Sequence, residues 1–160
     1  MILCTECYLQ TEGPHGQQTL MLHRVKKADD INEGKWIGLG GKFEAGESPE
    51  ACLLREVREE AGVELTDFRL RGMVSFFVEG KPEDSMLIFV YTASDWSGDV
   101  DLDGCSEGEL TWVDTDAIDA LNLWEGDRLF WNWLRADEGF FSARFIYEDE
   151  RLAHHDVTFY

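Results

Sequence analysis

Three glutamates on one short segment are the side chains of this sequence best suited to chemistry. Glu59 and Glu60 follow Glu56 by three and four residues, so on a helix the three carboxylates lie on one face. Like charges at this spacing repel one another, which raises their pKa values and destabilises the helix unless a cation lies among them. Carboxylate oxygens suit Mg²⁺, for which Mn²⁺ can substitute, and Mg²⁺ usually completes its shell with substrate phosphates. The triplet therefore predicts a magnesium site for a phosphorylated substrate.

A helix with clear start and stop signals must position these carboxylates. The Ser48 hydroxyl can satisfy a free backbone N–H, and Pro49 has no N–H to lose at the first helical position. Gly62 can adopt the left-handed conformation that commonly ends a helix. These signals predict a helix from Pro49 to Ala61, with its apolar residues on the side away from the carboxylates.

Glycines precede the helix, at Gly38, Gly40 and Gly41. Glycine permits both positive φ and close approach of the backbone to another group. A turn without a ligand would explain two of these glycines, whereas three within four residues favour a metal-binding or phosphate-binding loop.

Several basic residues lie where they could act on the carboxylates or on a phosphate. Arg55 is four residues before Glu59 and can hold its side chain, the alternative being an ordinary ion pair on the helix surface. Near the loop, Arg24 and Lys42 are the predicted phosphate contacts. A solvated basic turn explains Lys26 and Lys27 as well as a binding role does.

Composition limits the possible partners. The formal net charge is −19, which opposes binding to the phosphate backbone of polymeric nucleic acid but leaves small nucleotides possible. With 160 residues, 44% of them hydrophobic, we expect one domain spanning residues 1–160, and no apolar run is long enough to cross a membrane. Cys4 and Cys7 have the CxxC spacing of a zinc site but no second ligand pair, so we expect free thiols in a reducing cytoplasm.

Apolar periodicity predicts a mixed α/β domain. A helix is predicted over residues 114–121 and another over 127–136, and the chain is predicted to end in a hairpin over 140–147 and 151–159. The other predicted strands lie within residues 1–8, 19–24, 68–78, 86–92 and 109–113.

Residues 41–63 resemble the Nudix box, in which Gly41, Glu47 and the run from Arg55 to Val63 stand at the specified spacings. The resemblance implies a Nudix hydrolase with an α/β/α sandwich around a central mixed sheet. It also implies that Arg55 orients a catalytic glutamate and that a backbone carbonyl near Gly41 joins the metal ligands.

A further glutamate is implied by the downstream segment Glu107–Val113, which resembles the Nudix segment that binds metal or supplies a base. Register favours Glu107, Glu109 is the fallback, and a plain acidic loop is the alternative. Together with Glu56, Glu59 and Glu60, this glutamate would complete the catalytic and metal-binding set. The base is left open between Glu59 and Glu107.

Segments outside the box resemble the branch of the family that hydrolyses oxidised purine nucleoside triphosphates such as 8-oxo-dGTP. Animal members of that branch read the base with an asparagine after the loop tryptophan and an aspartate after a later tryptophan. Here Ile37, which cannot form a hydrogen bond through its side chain, takes the first position. Asp127 takes the second, unless it is simply the N-cap of its helix. Phe76 and Trp124 could stack on a base or belong to the core.

The reaction implied is hydrolysis of a nucleoside triphosphate to a monophosphate and pyrophosphate, with water as the nucleophile. Two alternatives remain. One is a Nudix hydrolase of another nucleoside diphosphate derivative, such as ADP-ribose, a dinucleotide or a sugar nucleotide. The other is a non-catalytic nucleotide sensor, which metal-dependent turnover would exclude.

Overall fold

The computed structural model describes residues 1–160 and has eight strands and two α-helices. Two short 3₁₀ helices, Pro82–Asp84 and Thr115–Ala120, lie in connections. The strands and α-helices, in chain order, are β1 (Ile2–Gly13), β2 (Gly16–His23), β3 (Trp36–Ile37), α1 (Pro49–Ala61), β4 (Glu64–Val78), β5 (Met86–Ser97), β6 (Glu109–Asp114), α2 (Glu125–Ala136), β7 (Phe141–Glu148) and β8 (Arg151–Phe159).

The strands form one mixed sheet in the order β3-β2-β1-β5-β4-β7-β8, and β6 pairs with β2. Two pairs, β1 with β5 and β4 with β7, are parallel, and the others are antiparallel. Strand β1 links the two halves, because its first eight residues pair with β5 and its last four with β2. A mixed sheet was the predicted fold class, and the structure confirms it.

Hydrophobic cores lie on both faces of the sheet, because successive side chains of a strand point to opposite sides. On β1, Cys7 and Leu9 pack in the core that α1 covers, whereas Tyr8 packs in the core that α2 covers. Aromatic residues fill the α2 core, including the fully buried Trp131 and Tyr147. The resulting arrangement is the predicted α/β/α sandwich.

The predicted limits of α1 are confirmed at both ends. The Ser48 hydroxyl accepts a hydrogen bond from the Ala51 backbone N–H at 3.1 Å. Gly62 adopts φ 74°, and its N–H donates to the Arg58 carbonyl. A side-chain cap of this kind contributes about 1 kcal/mol.

Other predicted boundaries were wrong in part. The predicted helix over 114–121 is a 3₁₀ helix over Thr115–Ala120, and α2 begins at Glu125 rather than at residue 127. Strand β1 continues to Gly13, because its end forms a hairpin with β2. All four cysteines are free and buried, and no helix is both long and apolar enough to span a membrane.

The excess negative charge should make stability depend on salt. A net charge of −19 destabilises the compact state through self-repulsion, which salt screens. We expect the Tm measured by calorimetry to rise as NaCl is raised from about 20 mM to about 1 M. A matched variant with Glu12, Glu83 and Glu138 replaced by Lys should show a smaller rise, since these glutamates are exposed and form no ion pairs. A Tm that does not change with salt would contradict this expectation.

Candidate active site

The glycine loop is held against β1 by backbone hydrogen bonds. The Thr5 N–H donates to the Gly41 carbonyl at 2.9 Å, and Cys7 and Leu39 exchange two hydrogen bonds of 2.6 and 2.8 Å. A Cβ on Gly40, whose φ is 150°, would overlap the Thr5 carbonyl oxygen. The glycines are therefore required for this pairing with β1, a reason that the sequence did not reveal.

Gly41 also determines how closely α1 approaches the loop. A side chain at this position would overlap the Glu56 carboxylate, so that carboxylate lies directly against the Gly41 backbone. The Gly41 carbonyl accepts from Thr5 and makes a long contact of 3.6 Å with the Cys52 thiol. Its predicted place among metal ligands stays a prediction.

Arg55 binds a different set of partners from the one that its spacing suggested. Its closest contacts are bonds of 2.7 and 2.9 Å to the two Glu47 oxygens and one of 2.7 Å to Glu56. Its contact with Glu59 is longer, at 3.4 Å, and one nitrogen donates to the Lys42 carbonyl at 3.0 Å. The guanidinium thus orients Glu56 and ties the glycine loop to α1, whereas its hold on Glu59 is weak.

Glu47 is a site residue that the sequence analysis did not select, although it occupies a specified position of the box. The hydrogen bonds from Arg55 lower its pKa to about 2, so it is a permanent anion at neutral pH. Its Oε2 also accepts from the Glu44 backbone N–H at 2.8 Å. Glu47 therefore fixes Arg55, which in turn fixes Glu56.

Glu60 is the most deeply buried of the three helix glutamates. Its Oε2 accepts from the Gly40 N–H at 2.8 Å, but its Oε1 is buried without a hydrogen-bond partner. Burial raises the pKa of Glu60 well above its ordinary value, and burial also raises that of Glu56 against the opposing effect of Arg55. Glu59, in contrast, is mostly exposed.

Glu107 lies in a cluster of ion pairs with Arg24, Asp30 and Lys27. The Arg24 guanidinium is buried and contacts both Asp30 and Glu107, and Lys27 lies 3.7 Å from Glu107. Arg24, predicted to bind phosphate, is thus already shared between two carboxylates. Glu107 faces the same cavity as Glu56, whereas Glu109 on β6 is exposed and outside it.

A cavity of about 510 Å³ joins most of the predicted residues, within the usual size range for small-ligand sites. Glu59 and Glu60 do not line it. Nine predicted residues do: Arg24, Gly41, Lys42, Arg55, Glu56, Phe76, Glu107, Trp124 and Asp127.

The aromatic residues of the cavity are largely buried. The rings of Phe76 and Trp124 meet edge to face at 6.2 Å, and the Trp124 indole N–H donates to Asn32 at 2.8 Å. Lys35 lies 4.8 Å from the centre of the Trp124 ring. Both rings therefore serve the core as well as the cavity wall, and their stacking on a base stays a prediction.

Asp127 is not the N-cap of its helix. That position belongs to Trp124, and Asp127 is the third residue of α2. Its carboxylate makes no hydrogen bond within the protein, and it lines the cavity. The capping alternative for Asp127 is therefore wrong.

The acidic side chains of the site are possible ligands for a metal ion. No three acidic, histidine or cysteine side chains converge closely enough to hold a metal in this arrangement, in which Glu56 is paired with Arg55 and Glu107 with Arg24. The buried Glu60 oxygen without a partner, next to the partly buried Glu56, is nevertheless a hard donor of the kind that Mg²⁺ takes. The donor set fits a divalent cation once these side chains turn toward it.

The sequence from residue 9 to residue 134 matches the model of the NUDIX domain. The chain belongs to the Nudix hydrolase family. Nudix hydrolases generally use divalent metals such as Mg²⁺ and act on small nucleotide derivatives.

Among Nudix relatives, the chain is 28% identical over 148 residues to the uncharacterised Nudix hydrolase YvcI of Bacillus subtilis, covering 91% of this chain and 87% of the relative. It is 30% identical to the oxidized purine nucleoside triphosphate hydrolase of Mus musculus, over 83% of this chain and 81% of the relative. The crystal structure of a MutT protein from Bacillus halodurans superposes on this chain with a TM-score of 0.83 at 26% identity, and the match covers 98% of this chain and 97% of the other.

Replacing Arg55 by Lys should impair catalysis more than stability. A lysine keeps the charge but cannot bind Glu47, Glu56 and the Lys42 carbonyl at once. We expect kcat for nucleotide hydrolysis to fall by about 100-fold, because Glu56 loses its orientation. Arg58→Lys on the same helix is the matched control, since its exposed pair with Glu64 should matter to neither kcat nor Tm. Wild-type kcat in Arg55→Lys would exclude this positioning role.

Replacing Glu60 by Gln should stabilise the metal-free protein. Because the folded pKa of Glu60 lies above its ordinary value of 4.5, the folded state binds this proton more tightly, and stability is lost as pH rises above that value. In EDTA we expect the Tm of Glu60→Gln to exceed that of the wild type by about 2 °C or more at pH 8, and by less at pH 5. Glu59→Gln, at an exposed position, should change little. A lower Tm for Glu60→Gln at pH 8 would refute this account.

Proposed function

We propose that this Nudix hydrolase is a Mg²⁺-dependent nucleoside triphosphate diphosphatase that prefers an oxidised purine, 8-oxo-dGTP, and releases a nucleoside monophosphate and pyrophosphate. Its role would be to remove damaged nucleotides before they enter DNA. The relative from Mus musculus bears a name of this class.

One observation carries the proposal. One cavity is lined by two groups of side chains. The first consists of the charged residues Glu56, Glu107 and the exposed Lys42, and the second of the aromatic residues Phe76 and Trp124. The first group suits a metal-bound polyphosphate, and the aromatic pair suits a base, whose stacking on such side chains contributes about 1–3 kcal/mol. Both halves of a nucleotide can therefore be held at once.

The residues divide the work of hydrolysis between positioning and proton transfer. Lys42 forms no ion pair, and its ammonium is available to neutralise phosphate charge at the cavity. Glu56 is held by Arg55, which fixes its carboxylate at the Gly41 backbone. Glu56 and Glu60, with the Gly41 carbonyl as a further ligand, would hold Mg²⁺, which would polarise the phosphoryl oxygens and offset the developing charge.

The attacking water must lose a proton to a nearby carboxylate. Glu107 lines the cavity and is about one-third exposed, whereas Glu59 does not line it. We therefore favour Glu107 as the acceptor, with Glu59 completing the metal ligands after a side-chain rotation. Loss of the Arg24 contact would free Glu107 for this role.

A pyrophosphate-release assay tests the proposal. The substrates are 8-oxo-dGTP, dGTP, the other deoxynucleoside triphosphates and ADP-ribose, compared by kcat/KM with Mg²⁺ and with EDTA. We expect 8-oxo-dGTP to be preferred and turnover to require the metal. A preference for ADP-ribose would assign the chain to another Nudix substrate class, and nucleotide binding without turnover would indicate a sensor.

Substitutions of Glu56 and Glu60 test whether these glutamates bind the metal. Glu56→Gln and Glu60→Gln should each lower kcat by about two orders of magnitude or more without unfolding the protein, since each removes a charge but little packing. Glu64→Gln, an exposed change at the start of β4, is the control and should retain full activity. Undiminished turnover in both test variants would rule out these glutamates as ligands.

A further inference from the structure

Glu6 is an acidic residue in the middle of the buried part of β1. Its neighbours on β1, Thr5 and Cys7, are buried, and Glu6 itself is only 8% exposed. It lines the cavity, and no hydrogen bond or ion pair joins it to the glutamates of α1. A charge in such a place is costly unless a partner satisfies it, so its presence requires an explanation that the Nudix box does not supply.

One oxygen of Glu6 is fixed by the protein and the other is not. Oε1 accepts from the Tyr8 hydroxyl at 2.7 Å and from the Gly38 backbone N–H at 2.9 Å. Oε2 has no hydrogen-bond partner in the protein. The carboxyl is therefore held in one orientation beside the cavity, next to Ile37, whose side chain offers no hydrogen bond.

Asp127 on α2 also lines the cavity, and the charge of Glu6 acts on its carboxyl. Burial raises the pKa of both groups, and the Glu6 charge raises that of Asp127 further, against a smaller opposing effect of Lys35. The hydrogen bonds from Tyr8 and Gly38 favour the ionised form of Glu6 against its burial, whereas Asp127 accepts no such bond. Glu6 is therefore the better acceptor of the two, and Asp127 the better place for a proton. A protonated carboxyl donates one hydrogen bond, and an ionised one only accepts.

We propose that Glu6 determines base specificity and that, with Asp127, it binds the Watson–Crick edge of a guanine-type base. Guanine presents two adjacent donors, N1–H and the N2 amino group, beside the O6 acceptor. Ionised Glu6 accepts from these donors through Oε2, the oxygen that the protein leaves free, and protonated Asp127 donates to O6. Adenine has one donor and one acceptor on this edge, and hypoxanthine lacks the amino group.

This inference rests on the proposed function, whose substrate class it narrows. Oxidation at C8 changes the opposite edge of the purine, so dGTP and 8-oxo-dGTP present the same edge to Glu6. The preference between those two would be set elsewhere in the cavity.

Binding of nucleoside monophosphates tests the role of Glu6 without requiring catalysis. Calorimetric titrations would compare dGMP, 8-oxo-dGMP, dIMP and dAMP on the wild type and on Glu6→Leu, a change that suits an apolar strand. We expect the wild type to bind dGMP about tenfold or more tightly than dIMP. In Glu6→Leu, binding of dGMP and 8-oxo-dGMP should weaken by about 10- to 100-fold, the dGMP to dIMP ratio should fall toward one, and binding of dAMP should change little.

Glu6→Gln and Glu64→Gln refine the test. Glu6→Gln keeps the side-chain shape but cannot ionise, so it too should lose the preference for dGMP over dIMP, whereas the exposed Glu64→Gln should retain it. An unchanged ratio in both Glu6 variants overturns the proposal. Equal weakening of all four ligands also overturns it, because it would indicate a merely structural role.

The hydrolysis assay separates this inference from the proposed function. If the wild type releases no pyrophosphate from any triphosphate, yet Glu6 governs the dGMP to dIMP ratio, the proposed activity fails and the base assignment stands. If triphosphates are hydrolysed but the ratio is independent of Glu6, the base assignment alone fails. Absence of any nucleotide binding by the wild type overturns the base assignment as well.

Discussion

Backbone pairing between the glycine loop and β1 is the contact on which the arrangement of the site depends. It joins residues 39–42 to residues 4–7 as a short antiparallel segment, and it requires glycine because a Cβ at residue 40 would overlap the Thr5 carbonyl. The same pairing brings Gly41 against Glu56. On β1 it lies beside Glu6. The residues that we propose to bind the phosphates and the base are thus positioned relative to one strand.

Charge in this strongly acidic protein is controlled locally by a few buried or half-buried arginines. Arg55 holds Glu47 and Glu56, and Arg24 holds Asp30 and Glu107. In each case one guanidinium orients several carboxylates, which suits its planar set of donors. Glu60 and Glu6 each retain an oxygen without a protein partner, and such a feature destabilises the fold while leaving a donor for a ligand. Local conflict of this kind is typical of a functional site.

Sequence reasoning succeeded where the determining interactions are local. The limits of α1 follow from a serine cap and a terminal glycine, both within hydrogen-bonding distance of their own helix. It was less accurate at residues 114–121, where a six-residue segment between β6 and α2 forms a 3₁₀ helix. The start of α2 also differed. The Gly126 N–H, in the first turn of this helix, donates to the Tyr147 hydroxyl on β7 at 2.8 Å, a contact between distant segments that the sequence does not reveal.

The sequence by itself determined the family, the carboxylate row and the helix that carries it, because a 3.6-residue period and its end signals specify which side chains lie on one face. Only the tertiary structure decided that Arg55 binds Glu47 and Glu56 more closely than Glu59, and that Glu6 and Asp127 line one cavity. These pairs join segments distant in the chain, and their contacts depend on strand register and on how the glycine loop docks. Local propensity does not encode either property.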